Sequence, residues 1–498
     1  MSAGRQVSRV GIGLVALAVA WLGAGVVRAA DPQASRPPEP AGAPAAAAVG
    51  PVTFAKDIAP ILQRSCQNCH RPGQVAPMSL LTYEEARPWA RAMKLRTGLR
   101  DKAGVMPPWY VEKNIGIQHY KHDPSLSDLE VAKIAHWADT GAPRGDAADL
   151  PPPLVFADDS HWTIGTPDII VEGPEITVKA NSPDWWGELA SPKIPITEDR
   201  YVAAVEVKEV NDIDTSGKGR ATVGGRYVYH HLIWSTAVLE DNVEVDPNDP
   251  DVVSWPVHEV GRNADVFDPA AGRLLKANSS IVYDSTHIHA NGRDTKSKLI
   301  FGFKLHPKGY KPTYRSTLRA LGNALDIDIK PMEANQQLHA YLVLERPTKI
   351  VTFEPHLHAP GARMCLEAIW GINIQTLTCA GYDHNWVRQY EYQDDYAPLL
   401  PKGTILHIIG YMDNTPGNKN IPDPRNWQGS GNRSVANMFI DLGQSVALTE
   451  EQFQAEMAKR RTARQMKKND YFLDCPLCGV PPPPVVATPT TAPPRPPQ

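Results

Sequence analysis

Apolar and polar positions follow two different patterns along this chain of 498 residues. Over residues 51–150 the apolar positions recur at helical spacing, and two capping-box patterns, Thr82-x-x-Glu85 and Ser127-x-x-Glu130, precede such segments. A capping box satisfies free backbone N–H groups at the start of a helix, so each pattern predicts a helix N-terminus. The sequence therefore predicts a small all-α domain over residues 51–150.

A different pattern covers residues 154–448, where short runs of β-branched and aromatic residues are separated by turn clusters. The clearest runs are residues 201–207, 227–234, 298–303 and 348–353. About 295 residues are more than one small sandwich needs. The sequence predicts that residues 154–448 form two all-β sandwich domains with a jelly-roll-like arrangement.

The N-terminal 30 residues have the pattern of a secretory signal. Arg5 and Arg9 precede an apolar run, and Val27-Arg28-Ala29 is a small-x-small cleavage pattern. We expect export to the periplasm and cleavage near residue 30, and an uncleaved membrane anchor is the alternative. Residues 31–50 are rich in Pro and Ala and predict a linker.

The C-terminal part is predicted to consist of one helix followed by a disordered tail. Thr449-x-x-Gln452 is a third capping-box pattern and predicts a closing helix to about Lys468, within a segment of residues 449–480. Residues 481–498 are Pro-rich and predict a disordered tail.

The charge of the chain excludes some partners. Loss of Arg5, Arg9 and Arg28 with the signal changes the formal charge from −4 to −7. A protein of this charge has no basic surface for nucleic acid or for an anionic membrane. We therefore expect no nucleic-acid partner and no stable membrane insertion.

Cys66-Gln67-Asn68-Cys69-His70 is the attachment pattern of a c-type haem, with two thiols for covalent linkage followed by an axial imidazole. A chance cysteine pair, a disulfide or half of a zinc site is the alternative. A zinc site needs about four ligands, and no second cysteine pair lies nearby in the sequence. We therefore expect covalent haem c at Cys66, Cys69 and His70.

Met106 is the expected second axial ligand of this haem, because it lies in a Met-Pro-Pro-Trp loop that prolines make rigid. The alternatives are His119, His122, Met78 and Met93. Residues 54–146 resemble a bacterial class I cytochrome c domain in the Cys66 to His70 motif, in this loop and in the closing helix before Gly-Ala-Pro. The resemblance implies electron transfer.

Four further cysteines should be paired in an exported protein. Cys365 and Cys379 flank Gly371-Ile372-Asn373 almost symmetrically, so they could form a disulfide across a hairpin. For Cys475 and Cys478 we expect a local disulfide rather than redox catalysis, because no βαβ pattern surrounds them.

Histidine pairs are the candidate metal ligands of the β region. Residues two apart in a strand share a face, so His356 and His358 can reach one metal ion. Adjacent His230 and His231 cannot do so in a flat strand and would need a bulge or a strand end. Imidazoles suit copper. Each histidine taken alone also fits an ordinary buried or solvated side chain.

Taken together, these residues resemble the copper type II, ascorbate-dependent monooxygenases, the family of peptidylglycine α-hydroxylating monooxygenase and dopamine β-monooxygenase. The resemblance covers roughly residues 155–448 and consists of His230-His231, His287 before Ala-Asn-Gly, Pro-His356-Leu-His358 before Gly, and Met438 at the end of Ser-Val-Ala-Asn-Met. It implies an N-terminal-type sandwich at residues 154–345, a C-terminal-type sandwich at residues 346–448, and two copper ions far apart across a solvent-filled cleft.

The same resemblance implies roles for individual residues. His230, His231 and His287 would hold the copper that stores an electron. His356, His358 and Met438 would hold the copper that binds dioxygen and would be the catalytic residues. A soft thioether favours Cu(I), which fits the second role. His289 competes with His287, and Met412 competes with Met438.

Two positions depart from the peptide-amidating relatives. Glu354 stands where those relatives place an Arg for the substrate carboxylate, and Leu442 stands where they place a Tyr. A substrate carboxylate would be repelled by Glu354. The departure favours neutral or cationic organic substrates over peptides with a free carboxylate.

The combined hypothesis is an exported haem- and copper-dependent monooxygenase that hydroxylates an organic substrate with O2. A periplasmic donor would reduce the cytochrome, and the fused cytochrome would feed the copper sites at an effective concentration of roughly millimolar for a short flexible linker. The alternatives are a non-catalytic periplasmic electron-transfer or copper-binding protein and a different copper-dependent oxidation.

Overall fold

The computed structural model describes residues 50–479, except for residues 73, 75, 77, 157–161, 214–225, 241–244, 246–248, 250, 260–263, 323–326 and 432–436. The predicted signal peptide, almost all of the predicted linker and the predicted tail lie outside the described residues. In the part of the chain that is described, no helix has both the length and the apolar character needed to cross a membrane.

The helices begin where the sequence predicts. The described α-helices are α1 Ala59–Ser65, α2 Tyr83–Ala86, α3 Ala90–Thr97, α4 Asp128–Asp139 and α5 Glu450–Ala463, with short π or 3₁₀ turns at Phe54–Ile58, Arg87–Trp89 and Ala147–Asp149. Capping boxes form at Thr82, Ser127 and Thr449, which confirms all three predicted helix starts. Helix α5 ends before the predicted Lys468.

The first four helices share one apolar core. Phe54, Ile58, Leu62, Ile134 and Trp137 are buried together in it. The indole of Trp137 also donates a hydrogen bond to the carbonyl of Pro143, 3.0 Å away, which fixes the chain after α4. Helical segments thus account for less than half of the described residues in 54–139, and the all-α domain stays a prediction.

The first group of strands forms two antiparallel sheets. The strands are β1 Ile169–Glu172, β2 Ile176–Val178, β3 Trp185–Gly187, β4 Arg200–Asn211, β5 Tyr229–Ala237, β6 Val253–Ser254, β7 His258–Glu259, β8 Ala264–Val266, β9 Arg273–Leu275, β10 Ser280–Ile288 and β11 Thr295–Leu305. One sheet has the order β1-β11-β4-β8, with β2 on β11 and β9 on β4. The other has the order β3-β10-β5-β6, with β7 on β5.

Large aromatic side chains fill the space between these two sheets. Trp234 on β5 and Phe301 on β11 approach to 4.9 Å between ring centroids, and Tyr283 and Phe303 are buried in the same core. The predicted sandwich-like β architecture is confirmed here, because alternate residues of each strand point into one shared core.

The second group of strands also forms antiparallel sheets, which contain fewer strands. The strands are β12 Arg315–Leu318, β13 Leu321–Gly322, β14 Asp328–Ile329, β15 Gln336–Val343, β16 Thr348–Ile350, β17 Thr352–Phe353, β18 Pro355–Leu357, β19 Gly361–Trp370, β20 Asn373–Gly381, β21 Tyr390–Glu391, β22 Leu399–Leu400, β23 Ile405–Met412, β24 Gln428–Gly429, β25 Phe439–Asp441 and β26 Gln444–Ala447. The main orders are β15-β23-β19-β20, β12-β26-β16-β22 and β13-β25-β18, with β14 on β24 and β17 on β21.

The strand pairing places the division between the two β groups at a lower residue number than we predicted. The last strand of the first group, β11, ends at Leu305, and β12, which begins at Arg315, already pairs with β26. Strand β15 pairs along its whole length with β23. By pairing, the division therefore lies between residues 305 and 315, whereas the sequence placed it at residues 345/346.

Both predicted disulfides are confirmed. Cys365 and Cys379 are directly opposite each other on β19 and β20 and are bonded. Cys475 and Cys478 form a local disulfide. The second disulfide packs under α5 against Phe453, in a small core of its own.

Residues 109–120, part of the predicted α domain, lie in the core of the second β group. Trp109 and Tyr120 are buried there, and the segment runs beside β20, where the N–H of Ile117 donates to Leu377. At Gly116, which has a φ of +64°, a Cβ would lie 2.2 Å from the Leu377 oxygen, so only glycine permits this approach. The described residues form one compact unit. The expected flexible tether is therefore wrong for this part of the chain.

Candidate metal centre and haem motif

His230 lies in a β-bulge of β5. His231 is opposite His287 on β10, but the next pair is Tyr229 with Ile288, so His230 is the extra residue between them. A bulge redirects the side chains next to it. The Nδ1 atoms of His230 and His231 consequently lie 3.2 Å apart. This is the local geometry that two adjacent histidines need in order to face one point.

His287 completes a group of three converging imidazoles. One ring nitrogen from each of His230, His231 and His287 lies within 4.8 Å of the others. The ring of Trp186 stacks on His287 at 3.8 Å, and an oxygen of Asp184 lies 3.2 Å from the Nε2 of His287. The donor set and its spacing fit a first-row metal ion such as copper.

A buried carboxylate fixes the start of β5. Glu209 accepts hydrogen bonds from the backbone N–H groups of Val228 and Tyr229, each at 3.0 Å. Burial raises the pKa of Glu209, and these hydrogen bonds oppose the rise. Because Tyr229 directly precedes His230, the carboxylate holds the backbone at the bulge.

His356 and His358 are on the same face of the chain at β18, and both are buried. Their ring centroids are 5.5 Å apart. The Nδ1 of His356 lies 2.9 Å from an oxygen of Glu259, a carboxylate with 2% of its surface exposed. Such a carboxylate orients an imidazole and leaves its Nε2 available to a metal ion.

Met438 directly precedes β25, whose first residue, Phe439, is opposite Leu357 at the end of β18. Met438 does not line the cavity between the histidines. Met438 is half-buried. The preceding residues of its predicted motif, 434–436, lie outside the described residues.

The competing ligands occupy other environments. Met412 is fully buried in the core of the second β group, where it lies on β23. His289 has its Nε2 3.2 Å from the carbonyl oxygen of Tyr227 and is not in the converging group. The geometry thus favours His287 over His289, whereas the choice of Met438 over Met412 and metal binding itself stay predictions.

The two histidine groups form a single cluster. The rings of His231 and His356 are 5.9 Å apart. Between the groups lies a cavity of about 10 Å³, comparable to the volume of one water-sized sphere. The expectation of two groups far apart across a solvent-filled cleft is therefore wrong for this structure. The physical reason is that the Glu259 and His356 contact joins the two β groups directly at the cluster.

His384 is a member of the cluster that the sequence did not reveal. Its ring lies 5.5 Å from His230 and 6.2 Å from His358, and it lines the same cavity. It is carried by the connection between β20 and β21. A single histidine between Asp383 and Asn385 has neither a partner nor strand spacing, so no local signal pointed to it.

Burial favours the neutral form of four imidazoles of the cluster, those of His230, His231, His287 and His384. Burial lowers the pKa of His230 and His231 well below the usual value, and neighbouring imidazoles lower it further. Burial also lowers the pKa of His287 and His384 to about 4. Neutral imidazole is the form that binds metal ions, so little proton release would accompany binding.

The predicted haem motif follows α1. Cys66 and Cys69 are free thiols, and the Nδ1 of the buried His70 lies 3.3 Å from the carbonyl oxygen of Met78. A backbone partner at Nδ1 leaves the Nε2 of this histidine for a metal. Two free thiols and one oriented imidazole fit the chemistry of covalent haem attachment.

Met106 is not a core residue, since 41% of its surface is exposed. It lines a cavity of about 360 Å³ together with Trp109, Leu126 and Val131. His70 does not line this cavity, so the pairing of His70 with Met106 stays a prediction.

The alternative axial ligands are engaged elsewhere or are solvent-facing. Met93 and Met78 pack in the helical core. His119 stacks on Tyr396 at 3.6 Å, and His122 is exposed.

Residues 381–388 connect the histidine cluster with the haem motif. Asp383 accepts hydrogen bonds from the N–H of Gly104 at 2.8 Å and from the hydroxyl of Tyr110 at 3.3 Å. Further along the loop, the charge of Arg388 lowers the pKa of Cys69, although burial raises it more. One short loop thus carries His384 of the cluster and Arg388, whose charge acts on Cys69 of the haem motif.

The comparisons with known proteins add little. No family model matches the chain, and no curated protein matches it. Among solved structures, an allantoicase aligns with 47% of this chain and 84% of its own, at 11% identity and a TM-score of 0.14. The Gx strain of infectious bursal disease virus aligns with 59% of this chain and 74% of its own, at 8% identity and a TM-score of 0.16. Scores this low do not establish a shared fold.

Proposed function

We propose that this protein is an exported, haem c- and copper-dependent monooxygenase. The observation that carries the proposal is the bulge at His230, which lets His230, His231 and His287 converge beside His356 and His358. The reaction inserts one oxygen atom of O2 into a C–H bond of an organic substrate. Two electrons and two protons reduce the other oxygen atom to water.

Two copper ions are assigned to the cluster. The first is held by His230, His231 and His287, and the second by His356, His358 and Met438. Bound copper supplies one-electron transfer and the activation of dioxygen. Burial favours the neutral form of His230, His231 and His287, Glu259 orients His356, and Trp186 covers His287. These residues limit the access of water to the cluster.

The haem is assigned to Cys66, Cys69 and His70, with Met106 as the second axial ligand. Its role is to accept single electrons from a periplasmic donor and to pass them to the cluster. The Nε of Arg388 is buried and has no hydrogen-bond partner among the described residues. A haem propionate is a carboxylate of the kind that such a guanidinium binds.

The substrate class follows from Glu354. Its side chain is 1% exposed and precedes His356 by two residues in the chain. A buried carboxylate at this place disfavours a substrate carboxylate and favours a neutral or cationic organic molecule.

A non-catalytic electron-transfer or copper-binding protein is the second candidate. The small cavity favours it, because about 10 Å³ does not accommodate an organic substrate. Under the monooxygenase proposal, the two β groups must separate at the cluster before the substrate binds.

Oxygen consumption distinguishes these candidates. The full-length protein, loaded with copper and haem, is supplied with ascorbate and a panel of neutral and cationic organic molecules in ¹⁸O-labelled dioxygen. The proposal predicts a product with one labelled oxygen atom, and loss of that product in His358→Ala while the haem spectrum is unchanged. Absence of oxygen consumption with every reductant and substrate would favour the second candidate.

A rapid-mixing experiment examines the haem separately. The reduced haem of the full-length protein should be reoxidised when oxygen and substrate are added to the copper-loaded form. A Cys66→Ala/Cys69→Ala variant should still turn over with ascorbate. If the haem stays reduced while ascorbate supports turnover, the haem is not the donor.

A further inference from the structure

The backbone around His384 is fixed on both sides. The hydroxyl of Tyr382 donates a hydrogen bond to the carbonyl of Leu357, the residue between His356 and His358. On the other side, Asp383 is held by Gly104 and by the N–H of Asn385. These contacts place His384 at the cluster through the backbone.

The Nδ1 atom of His384 is buried and has no hydrogen-bond partner among the described residues. A buried imidazole nitrogen without a partner is unfavourable, because it has lost water without gaining another contact. Two other histidines, His356 in the cluster and His289 near it, each have a partner at a ring nitrogen. The Nδ1 of His356 contacts Glu259, and the Nε2 of His289 contacts the carbonyl of Tyr227.

The two groups of donors are unequal without His384. Three imidazoles converge at His230, His231 and His287. The second group contributes only two imidazoles, from His356 and His358, and the proposed thioether of Met438, which precedes Phe439 on the strand paired with β18. His384 lines the cavity between them, and its ring centroid lies 5.5 Å from that of His230 and 6.2 Å from that of His358. Because the first group already has three imidazoles, the free position for a further donor is in the second group.

We infer that His384 is a ligand of the second copper ion and supplies its third imidazole. This inference rests on the proposed function, because it assumes that copper binds at the cluster. The second site would then have three nitrogen donors and one sulfur donor, which is a complete four-coordinate set for Cu(I). Both sites would contain three imidazoles, and they would differ in the additional sulfur.

Titration of the metal-free, full-length protein with Cu(I) in the presence of a competing chelator tests the inference. The wild-type protein should bind two equivalents. In His384→Ala the affinity of one of the two binding events should fall. Loss of an outer-sphere partner of a metal ligand already lowers affinity by roughly 10- to 100-fold, so loss of a ligand should lower it by at least as much. The weakened event should be the one that His358→Ala removes. His289→Ala is the matched control and should retain both events.

A second variant and a spectroscopic measurement separate ligand loss from misfolding. His384→Asn keeps a polar side chain of similar reach and should show the same loss, with an unchanged haem spectrum and thermal midpoint. X-ray absorption of the two-copper protein should show about three imidazoles per copper in the wild type and fewer in His384→Asn.

Three results would overturn the inference. Two-copper binding that is unaffected by His384→Ala would overturn it alone and leave the proposed function standing. Weakening of the event that His287→Ala removes would overturn the assignment to the second ion. Failure of the wild-type protein to bind copper would overturn the proposed function as well.

Discussion

Glu259 and His356 come from different β groups and meet through a 2.9 Å contact between a carboxylate oxygen and the Nδ1 atom. Glu259 is also directly opposite His231 on the neighbouring strand. One buried side chain therefore touches the second histidine group and is part of the sheet that carries the first. The contact selects the tautomer of His356 that presents Nε2 to a metal ion.

Replacement of this carboxylate should weaken copper binding. In Glu259→Gln the side chain keeps its size but loses its charge, so it orients the ring of His356 less well. We expect the affinity for one copper equivalent to fall by roughly 10- to 100-fold. Competition titration measures the effect. Glu206→Gln changes another buried carboxylate, outside the cluster, and should leave the affinity unchanged; equal losses in both variants would contradict the assigned role.

The metal-free protein should lose stability as the pH falls through the range of the buried histidines. The pKa of His287 is about 4 in the folded protein, and the usual value for an unfolded histidine is 6.5. Between these values the unfolded chain binds more protons than the folded chain, so the free energy of unfolding falls as the pH is lowered. The thermal midpoint should therefore decrease from pH 6.5 towards pH 4.

His287→Gln provides the control for this pH dependence. The variant lacks one of the buried titrating groups, so its midpoint should fall less steeply between pH 6.5 and pH 5 than that of the wild type. A wild-type midpoint that is constant or rises as the pH is lowered in this window would show that the cluster does not exclude protons.

A buried ion pair on β25 should contribute strongly to the stability of the second β group. Arg319 and Asp441 are almost completely buried and in direct contact, and Asp441 also accepts the N–H of Glu354 at 3.0 Å. Asp441→Asn leaves the guanidinium without its counter-charge, and we expect a loss of about 3–5 kcal/mol in the free energy of unfolding. Chemical denaturation measures this loss.

The chain contains a matched exposed pair for comparison. Arg425 and Asp423 form an ion pair at the surface. Arg425→Ala should change the stability far less than Asp441→Asn, because water replaces the lost contact. A similar loss of stability in the two variants would mean that burial of the Arg319 and Asp441 pair does not determine its contribution to the free energy of unfolding.

The loop anchor at Asp383 should affect both candidate sites. In Asp383→Ala the N–H of Gly104 and the hydroxyl of Tyr110 lose their acceptor, so the connection between the helices and the cluster loosens. Displacement of the loop by about 1 Å could slow reoxidation of the haem by up to 100-fold. Stopped-flow absorbance measures the rate. The exposed neighbour Asn385 offers a control, and an unchanged rate in Asp383→Ala would exclude the loop from electron delivery.

Local features were predictable because neighbouring residues determine them. The three capping boxes need only a hydroxyl residue and a Glu or Gln three positions later, and each one forms. The Cys365 and Cys379 disulfide follows from the symmetry of a hairpin around Gly371. Runs of β-branched residues likewise predicted the main strands.

Features that depend on register or on long-range packing were not predictable. The bulge at His230 exists because β5 and β10 change register there, and the sequence of either strand alone does not contain that information. His384 joins the cluster through a loop that is anchored by residues near position 104. The closeness of the two histidine groups depends on the contact between Glu259 and His356, which are 97 residues apart.

The segment of residues 109–120 has a consequence for how this protein can be dissected. Trp109 contacts Tyr390 at 5.0 Å and Tyr120 contacts Tyr392 at 5.2 Å, both between ring centroids. Deletion of the helical part at the Pro-rich boundary after residue 150 would remove the side chains that cover these tyrosines and would expose an aromatic surface to water. The helical part consequently cannot be removed as an independent domain. A shortened version of the protein would have to retain residues 109–120.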